Sequence, residues 1–252
     1  MADAAAVTIP VSSPNDRSSM ARPTVQAPPL TPGKVAIWLF LATEIMFFTG
    51  LIGTYIVLRA GSPPAAYSNL YPPATDLSRV FDEKPEGLEV SSWPRPYDRA
   101  TNPLSIDLTA VNTFILICSS LTMVLGLSAF QRDERRKGAL YITATAAIGA
   151  AFLGVQVYEY RQLMFGHRYP IGISATGHFT PDVSLFASCF FTMTGFHGAH
   201  VAAGVVAMGL LAIRSWAGAF SSSNYNAVEI VGLYWHFVDL VWIILFTVVY
   251  LI

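Results

Sequence analysis

Residues 231–252 are rich in Val, Ile, Leu, Phe and Trp, yet they hold His236 and Asp239 and follow directly on Glu229. A helix needs about 20 apolar residues to cross the hydrocarbon of a bilayer, so this stretch is long enough to span one. Offsets of seven and three residues place Glu229, His236 and Asp239 on one helix face and leave the other face lipid-like. A carboxylate near the bilayer centre costs about 2.5–3.5 kcal/mol on insertion scales, so the polar face has to meet other helices, headgroups or water. Two roles stay open for it: mutual satisfaction with contact to interfacial lipid, or a path for ions or protons.

The rest of the chain has the same character. Hydrophobic residues make up 53%, charged residues 12%, and mean hydropathy is +0.48; a soluble domain carries about 25% charge. The chain therefore reads as an integral membrane protein. Net charge is −1 and the basic run is confined to Arg132–Lys137, so there is no electrostatic footprint for nucleic acid. Cys118 and Cys189 sit in separate apolar segments, which suggests neither a disulfide framework nor a thiolate metal site. Residues 1–33 repeat Pro, Ser, Ala and Thr without an apolar core of signal-peptide length, and are expected to be a disordered cytoplasmic tail.

The hydropathy pattern predicts an all-α fold, a polytopic bundle of five transmembrane helices within residues 34–252. The spans are 34–58, 105–130, 139–160, 183–213 and 229–252, with a long outer loop at 60–104 and a second outer loop at 161–181. The short segment 131–138 holds Arg132, Arg135, Arg136 and Lys137, and the positive-inside rule puts it in the cytoplasm. The N-terminus is then cytoplasmic and Ile252 lies outside. Pairs such as Asn112-Thr113 and Ser119-Ser120, and glycines 149, 154, 195, 198, 204 and 209, suit close helix packing.

Further ionisable groups fall inside these spans. Glu44 lies about nine residues into the first, or roughly 13 Å deep at 1.5 Å per residue. It is either kept neutral by protonation or hydrogen-bonded within the bundle, and function and packing are both open. Gln156, Glu159 and Tyr160 form a polar patch at helical spacing. His197 and His200, at i and i+3, share a face, and His236 or Glu159 would be needed to extend them into a metal site. No Cys, Asp or Glu supplies a further ligand in the same turn, so no metal is expected. Arg214 is read as a headgroup anchor near the cytoplasmic end. Glu159, His197, His200, Glu229, His236 and Asp239 are expected to make one polar face turned toward neighbouring helices or lipid headgroups.

The run Tyr234–Trp242, reading YWHFVDLVW, resembles the final-helix signature of subunit III of the haem-copper terminal oxidases, the cytochrome c oxidase subunit III family. Thr43–Phe48 resembles the helix bearing that family's buried glutamate. Gly149, Phe152, Gln156, Glu159 and Tyr160 match the family's corresponding helix position by position, and Thr194–Val201 followed by Arg214 is similar to its most recognisable internal motif. In seven-helix members the Glu44 helix is the third, so the resemblance implies a five-helix form lacking the first two. It also implies an accessory, non-catalytic subunit of aerobic respiration that packs on the catalytic subunit and supports its proton uptake and stability. The implied location is the bacterial inner (plasma) membrane. Implied partners are oxidase subunits I and II and membrane phospholipids, with a larger respiratory supercomplex left open. Five histidines are too few and too scattered for two haems and a copper, so haem and copper are expected in partner subunits and no cofactor in this chain. The alternatives are the homologous subunit of a quinol oxidase or nitric oxide reductase assembly, or a small proton or ion transporter. The last would use Glu44 with His197, His200 and His236, but no inverted repeat supports it.

Overall fold

Within hydrocarbon no water satisfies backbone N–H and C=O groups, so an apolar chain that enters it must bond them internally, and a helix does so segment by segment. The computed structural model, which describes residues 31–61, 104–165, 180–181 and 185–251, consists of such segments. They are α1 (Pro32–Ala60), α2 (Ile106–Gln131), α3 (Arg135–Phe165), α4 (Leu185–Trp216) and α5 (Asn226–Phe246), and the chain of α5 continues as a π-helical turn, Thr247–Leu251. Each is long and apolar enough to cross a membrane. The protein is an all-α, polytopic helix bundle. The expected tail and most of the two expected outer loops lie outside the described residues.

Local chemistry sets the helix ends. Thr31 caps α1 by accepting the Lys34 N–H at 3.4 Å, and Pro32 occupies the first turn, where its missing N–H costs nothing. The expected basic loop at 131–138 is shorter than its sequence suggests: only residues 132–134 turn, and Arg135, Arg136 and Lys137 already belong to α3. Asp133 makes this possible by adopting φ 59°, a left-handed conformation that a short polar side chain tolerates. At Gly138 a Cβ would stand 2.7 Å from Phe130 Cζ, so the absence of a side chain lets the phenyl ring close the turn. Asp133 Oδ1 accepts from Arg135 Nε at 3.2 Å and from the Ser222 N–H at 3.4 Å, which ties this turn to the one joining α4 and α5. Lys137 Nζ meets Glu134 at 2.9 Å, and that ammonium holds the exposed Glu134 carboxyl below its ordinary range.

The helices α2, α3 and α4 pack side by side, α5 lies against α2 and α4, and α1 sits at the edge, touching chiefly α5 and α4. Trp235 and Trp242 of α5 are fully buried. Space for Trp235 comes from Gly149 and Gly204, where added Cβ atoms would stand 2.6 and 2.8 Å from the indole. Gly198 likewise makes room for Gln156, with an added Cβ 2.9 Å from the amide. Gly154 and Gly209 have nothing within 4 Å, so the close contacts expected there are absent. Lipid is as apolar as a leucine side chain, so helices in it are joined by packing and hydrogen bonds. Trp235 Nε1 donates to Ser119 Oγ and Trp242 Nε1 to Thr113 Oγ1, each at 2.9 Å. The small polar residues of α2 thus serve packing, as expected.

Candidate functional site

The ionisable residues singled out from sequence occupy several separate places in the bundle. Glu44 and His200 meet where α1 packs on α4, Glu44 Oε2 lying 3.0 Å from His200 Nε2. The other ring nitrogen, Nδ1, lies 2.7 Å from the Phe196 carbonyl one turn back; a carbonyl only accepts, so Nδ1 donates. Phe48 stands edge-on to the imidazole at 5.2 Å, and Tyr234 of α5 donates its hydroxyl to the His200 carbonyl at 2.9 Å. Glu44 is hydrogen-bonded inside the bundle, by a partner 156 positions away that sequence spacing does not indicate.

Glu229 sits at the start of α5, where Lys34 Nζ of α1 reaches its Oε1 at 2.9 Å. Beside this pair Thr31 Oγ1 donates to Asn226 Oδ1 at 3.1 Å. Lys34, Thr31 and Asn226 escaped the sequence reading. The signal available was topological: the first and fifth of five spans enter the membrane from the same side, so their first turns are able to meet.

Asp239 faces α2, with Ser120 Oγ donating to Oδ2 at 2.6 Å, while its buried Oδ1 has no partner among the described residues. His236, one turn earlier, is half-buried beside it. His197 is completely buried between α3 and α5. Its Nε2 lies 3.1 Å from the Val238 carbonyl and so carries the proton, and its ring lies against Trp242 at 4.7 Å between centroids. Nδ1 has no partner among the described residues. Glu159 is buried at the other end of α3, with Thr109 Oγ1 at 3.2 Å and the Tyr250 hydroxyl at 3.4 Å from both carboxyl oxygens. Tyr250 lies on the π-helical turn and was not foreseen. One turn before Glu159, Gln156 Nε2 donates to the Thr194 carbonyl at 2.8 Å, and Tyr160 shares a 2.6 Å hydrogen bond with Thr194 Oγ1.

Two expectations are therefore corrected. Glu159, His197, His200, Glu229, His236 and Asp239 do not make one polar face: Glu159 bonds to α2, His197 to α5, His200 and Glu229 to α1, and Asp239, with His236 beside it, to α2. His197 and His200 do not converge on a common point either. Three residues on a helix leave two side chains about 60° apart, enough for His197 to enter the core while His200 turns to α1. Among the described residues no group of three or more His, Cys, Asp or Glu is placed to hold a metal ion. Arg214 is exposed in the last turn of α4, its guanidinium 5.8 Å from the Phe220 ring, and Phe220 packs on Phe130 beside the basic turn at 132–134.

Such an arrangement joins neighbouring helices through buried and half-buried hydrogen bonds. The family model described as cytochrome c oxidase subunit III matches residues 85–252. A cytochrome c oxidase subunit 3 from Alkalihalophilus pseudofirmus is 30% identical over 86% of this chain and 85% of its own length. One from Bacillus subtilis is 30% identical over 90% and 94%, and a probable cytochrome c oxidase subunit 3 from Mycobacterium bovis is 34% identical over 86% and 85%. The family model takes in α2 to α5, and relatives at 30% identity or more cover over four fifths of the chain, so the chain belongs to the cytochrome c oxidase subunit III family.

Proposed function

We propose that this chain is the accessory, non-catalytic subunit of a haem-copper terminal oxidase in a bacterial plasma membrane, packing on the catalytic subunit and supporting its proton uptake and stability. The observation that carries this reading is the Glu44–His200 contact, an intramembrane acid and base joined at 3.0 Å in the seam of a helix bundle. Oxidase subunits I and II are the direct partners and hold the haem and copper, and a respiratory supercomplex is the larger setting. Phospholipid headgroups are the partners of Arg214 and the basic turn. The positive residues 132, 135, 136, 137 and 214 gather at one end of the bundle, which supports a cytoplasmic location for that end and for the N-terminus, with residue 252 outside.

The test compares the native oxidase with one purified from a strain lacking this chain. Haem and copper should remain with the other subunits, initial turnover should persist, and proton uptake and the lifetime of activity during turnover should fall. Unchanged proton uptake and lifetime would overturn the supporting role. Loss of stoichiometric haem or copper together with this chain would overturn the non-catalytic one.

A further inference from the structure

We propose, on the basis of the accessory-subunit reading, that the groove between α1 and α2, floored by α5, seats one transmembrane helix of a partner oxidase subunit. That helix carries a hydroxyl or amide side chain at mid-depth, hydrogen-bonded to His236 and Asp239.

The groove follows from the directions of the α5 side chains. Asp239 points to α2, where Ser120 Oγ reaches it at 2.6 Å, and Phe237 points to α1, where it meets Phe48 at 6.4 Å between ring centroids. At 3.6 residues per turn Phe237 lies about 160° round the helix from Asp239, with His236 and Leu240 between them at about 60° and 100°. α1 packs chiefly on α5 and α4, so it walls the far side of this sector without closing over it. Leu240 is accordingly 57% exposed, and Ile244, one turn on, is exposed as well. On the α2 side Ile117 and Val124, one turn either side of Ser120, are also exposed.

Lipid suits this apolar rim but not its centre. His236 is half-buried ten residues into α5, about 15 Å along the axis, too deep for an imidazole to reach the headgroups. Among the described residues neither of its ring nitrogens has a hydrogen-bond partner. Beside it the Asp239 carboxyl is 6% exposed, with Oδ2 bonded to Ser120 and Oδ1 buried without a partner among the described residues. The other polar side chains of α5 are engaged: Tyr234 with the His200 carbonyl, Trp235 with Ser119, Trp242 with Thr113 and Glu229 with Lys34. Acyl chains neither donate nor accept, and polar side chains reaching across from a neighbouring helix are what joins helices in lipid. A carboxyl oxygen and an imidazole together call for a group that both donates and accepts, which is a hydroxyl or an amide.

The photoreactive amino acid p-benzoylphenylalanine, placed at Leu240 in the assembled oxidase and irradiated in native membranes, reads the occupant. The expected product is a covalent adduct to a transmembrane segment of a partner subunit, identified by mass spectrometry. The absence of such an adduct overturns the proposal, lipid or a second copy of this chain then being the occupant. A chain that never co-purifies with haem-containing subunits overturns the accessory reading itself. His236→Phe removes the polar atoms and keeps a flat ring. It should lower the share of this chain retained with the oxidase in detergent by roughly threefold, the scale of one interhelical hydrogen bond in a membrane. The unfolding midpoint of the full chain in micelles should stay at the wild-type value. His236→Asn, which both donates and accepts, should restore most of the retention. Wild-type retention in His236→Phe overturns the proposal, and so does a lowered midpoint, which assigns His236 to packing within the chain.

Discussion

At the scale of single residues, the bundle is most demanding around Trp235. Gly149 leaves no room for a methyl group, since a Cβ would stand 2.6 Å from the indole and 2.8 Å from Val205 Cγ2. Gly149→Ala should therefore destabilise the chain by about 1–3 kcal/mol, the usual cost of overpacking a fitted core, whereas Gly209→Ala, with open space around it, should be neutral. Thermal unfolding in detergent micelles separates the two. Tyr250→Phe should cost about 1–3 kcal/mol by leaving the buried Glu159 carboxyl short of a hydrogen-bond partner. It keeps the aromatic contacts of the ring with Phe190, Phe246 and Trp242. The same unfolding experiment measures it, and an unchanged midpoint would assign Glu159 entirely to Thr109.

At the scale of elements, the tight connection between α2 and α3 ends in an exposed ion pair. Lys137 lowers the Glu134 pKa below its ordinary 4.5, first through a hydrogen bond and then through its charge. A carboxyl whose folded pKa is depressed stabilises the folded state above the unfolded pKa, and the contribution is lost as pH falls through the folded value. Lys137→Met should return the Glu134 titration upward toward 4.5, followed by carboxyl carbon NMR, and should flatten the stability profile below that pH. Salt should weaken the wild-type effect, because both groups are in water.

For the whole molecule, α1 is the element whose position separates a structural from a proton-supplying role for Glu44. Glu44→Ala leaves His200 Nε2 without its partner and loosens α1, so the chain should be partly lost from the purified oxidase. Glu44→Gln preserves the hydrogen bond and should leave subunit content unchanged while modestly lowering proton supply during turnover. Subunit stoichiometry and turnover lifetime, measured on both variants, distinguish the two effects. Wild-type behaviour in both would remove Glu44 from any functional account.

Sequence alone determined the class of the molecule, because the lipid interior admits few solutions. A chain with five long apolar stretches must make five helices, and the Tyr234–Trp242 and Thr194–Val201 motifs are specific enough to carry the family. It also determined which polar residues need partners, since Glu44, Glu159, His197 and Asp239 each lose bulk water inside an apolar span whichever helix lies beside them. The identity of those partners was decided by the tertiary structure. Glu44 finds His200, Lys34 finds Glu229, Ser120 finds Asp239 and Tyr250 finds Glu159 across separations that helical periodicity does not encode. Periodicity gives the direction of a side chain about its own helix axis. Which neighbouring helix lies in that direction depends on how the whole bundle packs, and for this reason one expected polar face became several separate seams.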